Sequence, residues 1–226
     1  MTTSVQHIHD VRRPPLELVD RFAPFRTPDL ANALGDAVAL CHSEIRPVWP
    51  CPAFVGVAFT VRLPAGDNLG AIVASLVARP GDVLVIDGGG AAMTALVGGR
   101  LARVAISRGV RGCIVDGAVR DVVDLERLGM PVYARAVTPR RASKTHAAVL
   151  GGTVSCGGAR VRPGDLVLAD RDGVAFVPQA VLVEALAKTE QVAASERDEE
   201  RDFSVLERQF EATMAQATVV RLPPED

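Results

Sequence analysis

At 226 residues the chain can bury one good core, and a single compact domain with terminal extensions fits better than two domains. A formal net charge of −2 and only 4% aromatic residues exclude a basic nucleic-acid footprint, attraction to an anionic membrane surface and a base-stacking platform. With 48% apolar residues but one Trp and one Tyr, the core has to be built from Val, Ala, Leu and Ile.

The leader, residues 1–13, has no apolar segment of the kind that directs secretion, and no later stretch is long enough to span a bilayer; a cytoplasmic location is the expectation. His7 and His9 form an H-x-H pair without an acidic or Cys partner, which is read as solvated. Cys41, Cys51, Cys113 and Cys156 are scattered, with no C-x-x-C pair, and are expected to be reduced core hydrophobes. A short amphipathic helix is expected over 16–22. A second runs over 27–34, with Thr27 as N-cap, Pro28 in the first turn and Gly35 as its stop. Residues 54–61 alternate as a strand, and Asp67 or Asn68 caps a helix over 69–78.

An internal echo follows: Arg79-Pro80-Gly81-Asp82 and Arg162-Pro163-Gly164-Asp165 each lead into a buried strand ending in Asp, at Asp87 and Asp170. The two copies lie on either side of the stretch 108–121, RGVRGCIVDGAVRD, around which the chain is organised. That stretch combines a helix-ending glycine turn, an apolar strand at 113–115 and Arg120-Asp121 at the mouth of a helix over 122–128. At the carboxyl end of such a strand, where ligands collect, an arginine can grip a substrate carboxylate while an aspartate holds a hard divalent cation. The plain alternative is that Asp121 caps its helix and Arg120 faces solvent. Asp87 and Asp116 are read as structural. Gly88-Gly89-Gly90 does not make a dinucleotide loop, because Met93 stands where the third glycine belongs. Gly98-Gly99 precedes a helix over 100–107, whose N-terminal amides can bind a carboxylate. Lys144 and Lys188 are the only lysines, and neither sits in a buried strand, which argues against Schiff-base chemistry. Strands are expected over 131–137, 154–161 and 166–177, the last turning at 171–173; a basic loop covers 138–145, and His146 is structural or solvated. One long helix, 179–216, is expected to pack partly on a neighbouring subunit.

The chain resembles the RraA-like family through AGDN at 65–68, RPGDVLVIDGGG at 79–90, ALVGGRLA at 95–102, RGVRGCIVDGAVRD at 108–121 and VRPGDLVLADRDGVAFVP at 161–178. The resemblance covers residues 25–200. It implies one domain over 1–226, with a core over about 25–180, of compact α/β/β swivelling-domain architecture, an α/β fold with a long C-terminal helix. It further implies homotrimers or homohexamers with sites between subunits. The family's aldolase branch cleaves 4-hydroxy-4-methyl-2-oxoglutarate and decarboxylates oxaloacetate through a pyruvate enolate stabilised by Mg²⁺ or Mn²⁺; its other branch inhibits a ribonuclease without chemistry. In the aldolases the positions of Gly98, Gly99, Arg100 and Leu101 give backbone donors to pyruvate, that of Arg120 binds substrate oxygens, and that of Asp121 holds the metal. An acidic residue of the adjacent subunit's C-terminal helix reaches the metal's water shell, with Glu196 the best match within 190–200. One departure stands out: the aldolases carry an Asp where this chain has Gly99. Arg100, Arg103 and Arg140 are unranked candidates for a distal substrate carboxylate.

Overall fold

The computed structural model describes residues 6–200 and 202–216. In chain order the elements are β1 (His7–Ile8), α1 (Leu16–Asp20), α2 (Thr27–Leu34), β2 (Ala39–Leu40), β3 (Arg46–Pro47), β4 (Phe54–Arg62), α3 (Leu69–Val77), β5 (Asp82–Val97), α4 (Gly99–Ser107), β6 (Gly112–Val119), α5 (Val122–Arg127), β7 (Val132–Val137), β8 (Val149–Leu150), β9 (Val154–Cys156), β10 (Ala159–Val161), β11 (Leu166–Ala169), β12 (Val174–Val177), α6 (Leu182–Glu200) and α7 (Phe203–Met214). The main sheet runs β2-β12-β11-β4-β5-β6-β7-β3, and β8 joins it at β4. Its centre, β4 to β7, is parallel, whereas β11, β12, β2 and β3 pair antiparallel.

Side-chain alternation along these strands assigns the layers. Phe59 and Val61, Leu84 and Ile86, and Cys113 and Val115 pack with Ala71 and Ala74 of α3, Leu101 and Ala105 of α4 and Leu125 of α5. The opposite face, Ala58, Val83, Val85, Ile114 and Tyr133, is covered by the β9–β10 hairpin through Val154, Cys156 and Val161. Val55 and Val57, with Leu166, Leu168, Ala175 and Val177, pack against Phe22, Leu30, Leu182 and Leu186 of the α1, α2 and α6 region. Helices, sheet and hairpin thus make the α/β/β layering. The four cysteines are free, and burial pushes the Cys113 thiol up to about 12, as befits a core hydrophobe.

The echoed turns are built alike. Asp82 Oδ2 accepts from the Arg79 amide at 2.8 Å, and Asp165 Oδ2 from the Arg162 amide at 2.8 Å, with Gly81 and Gly164 at φ 89° and 91°. The strands they launch, β5 and β11, lie on the two sides of β4, so in the sheet the pair flanks β4 and not the Arg120-Asp121 unit.

The single strand expected over 154–161 is the antiparallel β9–β10 hairpin, which turns at Gly157-Gly158, both at positive φ. Three further local expectations change. The first is β5, a strand of 16 residues that runs through Gly88-Gly89-Gly90 with bulges against β6, because two of those glycines take positive φ and the ladder re-forms beyond them. In the second, the helix expected over 179–216 is two: α6 ends at Glu200, and Asp202 caps α7 by accepting from the Ser204 amide at 3.0 Å. The last concerns Thr27, which is the first helical residue of α2 and not its cap; its amide and hydroxyl both donate to Asp170, at 2.6 and 2.7 Å.

Candidate functional site

The parallel strands β5, β6 and β7 deliver their carboxyl ends to one edge of the sheet, the usual place for a ligand in an α/β protein. There the Arg120 amide donates to the Val97 carbonyl at 3.0 Å, which fixes the Arg120-Asp121 corner against the Gly98-Gly99 entry to α4. A cavity of about 580 Å³ opens on this corner. Gly98, Gly99, Arg100, Leu101, Arg120 and Asp121 all line it, so the structure brings together the expected site residues apart from Glu196 and the distal-carboxylate candidate Arg140.

Asp121 has φ 58° and is the only non-glycine residue at positive φ among the described residues. Aspartate tolerates this region better than most side chains, at a cost of order 1 kcal/mol. The left-handed turn swings the carboxylate away from its own helix. Asp121 stands at the N-cap of α5 but makes no cap hydrogen bond there. Instead Oδ2 accepts from the Gly99 amide at 3.0 Å and lies 3.5 Å from Arg120 Nε. Both side chains keep about a third of their surface exposed, toward the cavity. The plain capping reading of Asp121 therefore fails, and Arg120 turns toward the same cavity. The Gly99 amide is taken by Asp121, while those of Arg100 and Leu101 lie in the first turn, where an α-helix offers no partner.

Five basic side chains (Arg100, Arg103, Arg120, Arg141 and Lys144) face two carboxylates, Asp121 and Asp124, so the cavity favours an anion. Arg141 and Lys144 sit on a loop held by the buried Asp67. Its Oδ2 accepts from the Ser143 hydroxyl at 2.6 Å and the Thr145 amide at 2.7 Å and lies 3.2 Å from His146 Nδ1, while Oδ1 accepts from the Leu69 amide at 2.9 Å. Burial pushes the Asp67 carboxyl up, but these hydrogen bonds outweigh it and hold the group well below the usual carboxylate range.

Other expectations resolve as follows. Arg141, not Arg140, lines the cavity; the Arg140 carbonyl accepts from the Ala95 amide at 2.8 Å. Lys144 reaches the cavity edge but is exposed, unlike the desolvated lysines that form Schiff bases. Asp116 accepts from Arg135 Nε at 2.8 Å and the Gly157 amide at 2.7 Å, and Asp87 from the Gly89 amide at 3.1 Å and the Ser155 amide at 3.3 Å; both pin the hairpin layer to the sheet. Glu196 lies on α6, where Oε1 accepts from Asn32 Nδ2 at 2.8 Å, and it lines a separate cavity with Arg21, Arg26 and Arg197.

Besides Arg141, two polar lining residues escaped the sequence reading. Asn68, taken there as an alternative cap, makes no cap bond; its Nδ2 donates to the Leu96 carbonyl at 3.1 Å, and its Oδ1 is buried without a partner. Asp124 is the third residue of α5, three positions after the Asp121 cap, and by type it is an ordinary acidic residue of a first helical turn.

Among the described residues no three His, Cys, Asp or Glu side chains converge on one point. Mg²⁺ does not require that, since it commonly keeps several waters and uses one or two carboxylates. The residues present fit such an ion. Gly98 leaves open a cradle that any side chain would fill, because a Cβ there would lie 2.7 Å from Asp121 Oδ2.

A family model described as RraA-like, aldolase/RraA, matches residues 27–176. A Halalkalibacterium halodurans protein provisionally named 4-hydroxy-4-methyl-2-oxoglutarate aldolase is 34% identical over 189 residues, which is 84% of this chain and 90% of that protein. The RNA-processing inhibitor RraA from Thermus thermophilis superposes with a TM-score of 0.64 at 32% identity, over 69% of this chain and 93% of that one. A Geobacillus kaustophilus structure described as S-adenosylmethionine:2-dimethylmenaquinone methyltransferase gives 0.66 at 31%, over 70% and 98%. With this match and this fold, the chain belongs to the RraA-like family.

Proposed function

We propose that this protein is a divalent-metal-dependent lyase that splits a pyruvate-derived 2-oxo acid, by retro-aldol cleavage of a 4-hydroxy-4-methyl-2-oxoglutarate-type substrate, by decarboxylation of oxaloacetate, or both. The observation that carries the reading is the shared cavity of Arg120 and Asp121, with the Asp121 carboxylate turned away from its helix. Asp121 would hold Mg²⁺ or Mn²⁺, which when bound supplies Lewis-acid polarisation of the substrate's keto oxygen. Arg120 grips substrate oxygens and offsets the negative charge that develops as the C3–C4 bond breaks. The Arg100 and Leu101 amides receive the pyruvate carboxylate at the positive end of α4. The basic rim draws in the anionic substrate. Glu196 is assigned to the site of an adjacent subunit, in a homotrimer or homohexamer.

The test is pyruvate release from oxaloacetate and from 4-hydroxy-2-oxo diacids with Mg²⁺ or Mn²⁺. We expect turnover above the metal-only background, abolished in Asp121→Ala and in Arg120→Ala. Equal rates for wild type, both variants and metal alone overturn the reading. A second reading, a non-catalytic regulator that docks on a ribonuclease, is supported by the likeness to the Thermus RraA. A methyltransferase gains nothing from this geometry, because Gly88-Gly89-Gly90 lie inside β5 and do not open a helix.

A further inference from the structure

A second carboxylate at the site has no structural employment. Asp124 is the third residue of α5, the position from which an acidic side chain commonly reaches back to the cap residue's amide. It does not do so here. Among the described residues the Asp124 carboxylate has neither a hydrogen-bond nor an ion-pair partner. It is half-buried and lines the cavity, although five basic side chains line the same space. Its placement is specific: a Cβ built on Gly99 would lie 3.2 Å from Asp124 Oδ2, 3.0 Å from Asp124 Cβ and 3.6 Å from Asp121 Cβ. Asp121 and Asp124, one helical turn apart, thus close on the α-carbon of Gly99 from the same side, and only the missing side chain leaves them that room. Asp121 already shares one oxygen with the Gly99 amide and the Arg120 guanidinium. An unpartnered carboxylate beside a partly occupied one is what the hydration shell of a small dication satisfies.

We propose that Asp124 is the second carboxylate of the cation site, accepting hydrogen bonds from the waters of an ion held at Asp121. The inference rests on the lyase reading above and deepens it, naming a residue on α5 where the glycine turn before α4 provides none. The measurement is Mn²⁺ binding to the full, assembled chain, by calorimetry and by the electron paramagnetic resonance signal of free Mn²⁺, without substrate and independent of turnover. Asp124→Asn keeps the shape and removes the charge; it is expected to weaken Mn²⁺ about 10–100-fold, as loss of an outer-shell partner does, with the thermal unfolding midpoint unchanged. Asp124→Ser, a residue welcome in a first helical turn, is to be measured beside it, so that misfolding of one variant leaves the other to decide. Asp121→Asn is expected to abolish binding. If Asp124→Asn and Asp124→Ser titrate like wild type while Asp121→Asn does not, this inference falls and the lyase reading stands. If wild type itself takes up no Mn²⁺, both fall together.

Discussion

At the scale of single residues the site depends on what is absent as much as on what is present. Gly98 has φ −158° and ψ 179°, extended backbone open to any residue, so its lack of a side chain is not a conformational need. A Cβ there would meet Asp121 Oδ2 at 2.7 Å, Arg120 Cγ at 3.0 Å and Arg120 Nε at 3.3 Å. All three belong to movable side chains, so Gly98→Ala should fold with a stability change within about 1 kcal/mol while displacing the Arg120-Asp121 pair. The expected result is a metal-dependent rate lowered at least tenfold with a nearly unchanged urea midpoint; equal losses of both would make Gly98 a folding residue. Arg120 and Asp121 were legible from their position after a buried strand. The direction of the Asp121 carboxylate was not, because it follows from one left-handed φ that aspartate permits but does not announce. Asn68 and Asp124 were hidden for a different reason: each is an ordinary helix-start residue by type, and only the lack of a partner in three dimensions sets it apart.

At the scale of elements, strand alternation carried most of the fold, and it failed where glycine or charge masks periodicity. The glycines of β5 resemble a loop because they lack side chains to alternate. The charged run that closes α6 from Glu196 onward reads as helix continuing into α7 because its residues are good helix formers, although Asp202 is a cap type. Neither failure touches the loop that carries Arg141 and Lys144. Asp67 organises that loop, so Asp67→Ala would leave several donors around Ser143, Thr145 and Leu69 unpaired, at a cost of about 3 kcal/mol. We expect a lower unfolding midpoint and a raised KM for anionic substrates, with kcat less affected, since Arg120 and Asp121 are held by β5 and α4. The pH dependence has a definite sign. A carboxylate held below its ordinary value in the folded state stabilises the fold above about pH 4 and loses that contribution as the pH falls further. Unfolding of wild type and Asp67→Asn should therefore converge on acidification below pH 4; a gap that stays constant from neutral to acid pH would show that Asp67 acts by shape and not by charge.

At the scale of the whole molecule, one chain leaves two things unfinished at its C-terminal end. Helix α7 exposes Phe203, Phe210 and Met214, with 76%, 71% and 59% of their surfaces free, at spacings that make one stripe. Just before it, α6 carries Glu196, which among the described residues pairs with Asn32 and lines a cavity that shares no residue with the Arg120-Asp121 cavity. A second copy of the chain answers both needs if its surface receives the α7 stripe and its cavity receives the acidic end of α6, because burying the aromatic stripe supplies the apolar area that holds the carboxylate in place. The two roles separate experimentally. Phe203→Ser combined with Phe210→Ser should shift the sedimentation velocity profile toward monomer and remove metal-dependent turnover with it. Glu196→Gln should leave the assembly intact and lower turnover roughly 10–100-fold, the usual effect of losing a carboxylate that orients a metal's waters. An assembled, fully active double-serine variant would place the contact elsewhere on the surface, and a fully active Glu196→Gln would confine the acidic part of the site to Asp121 and Asp124.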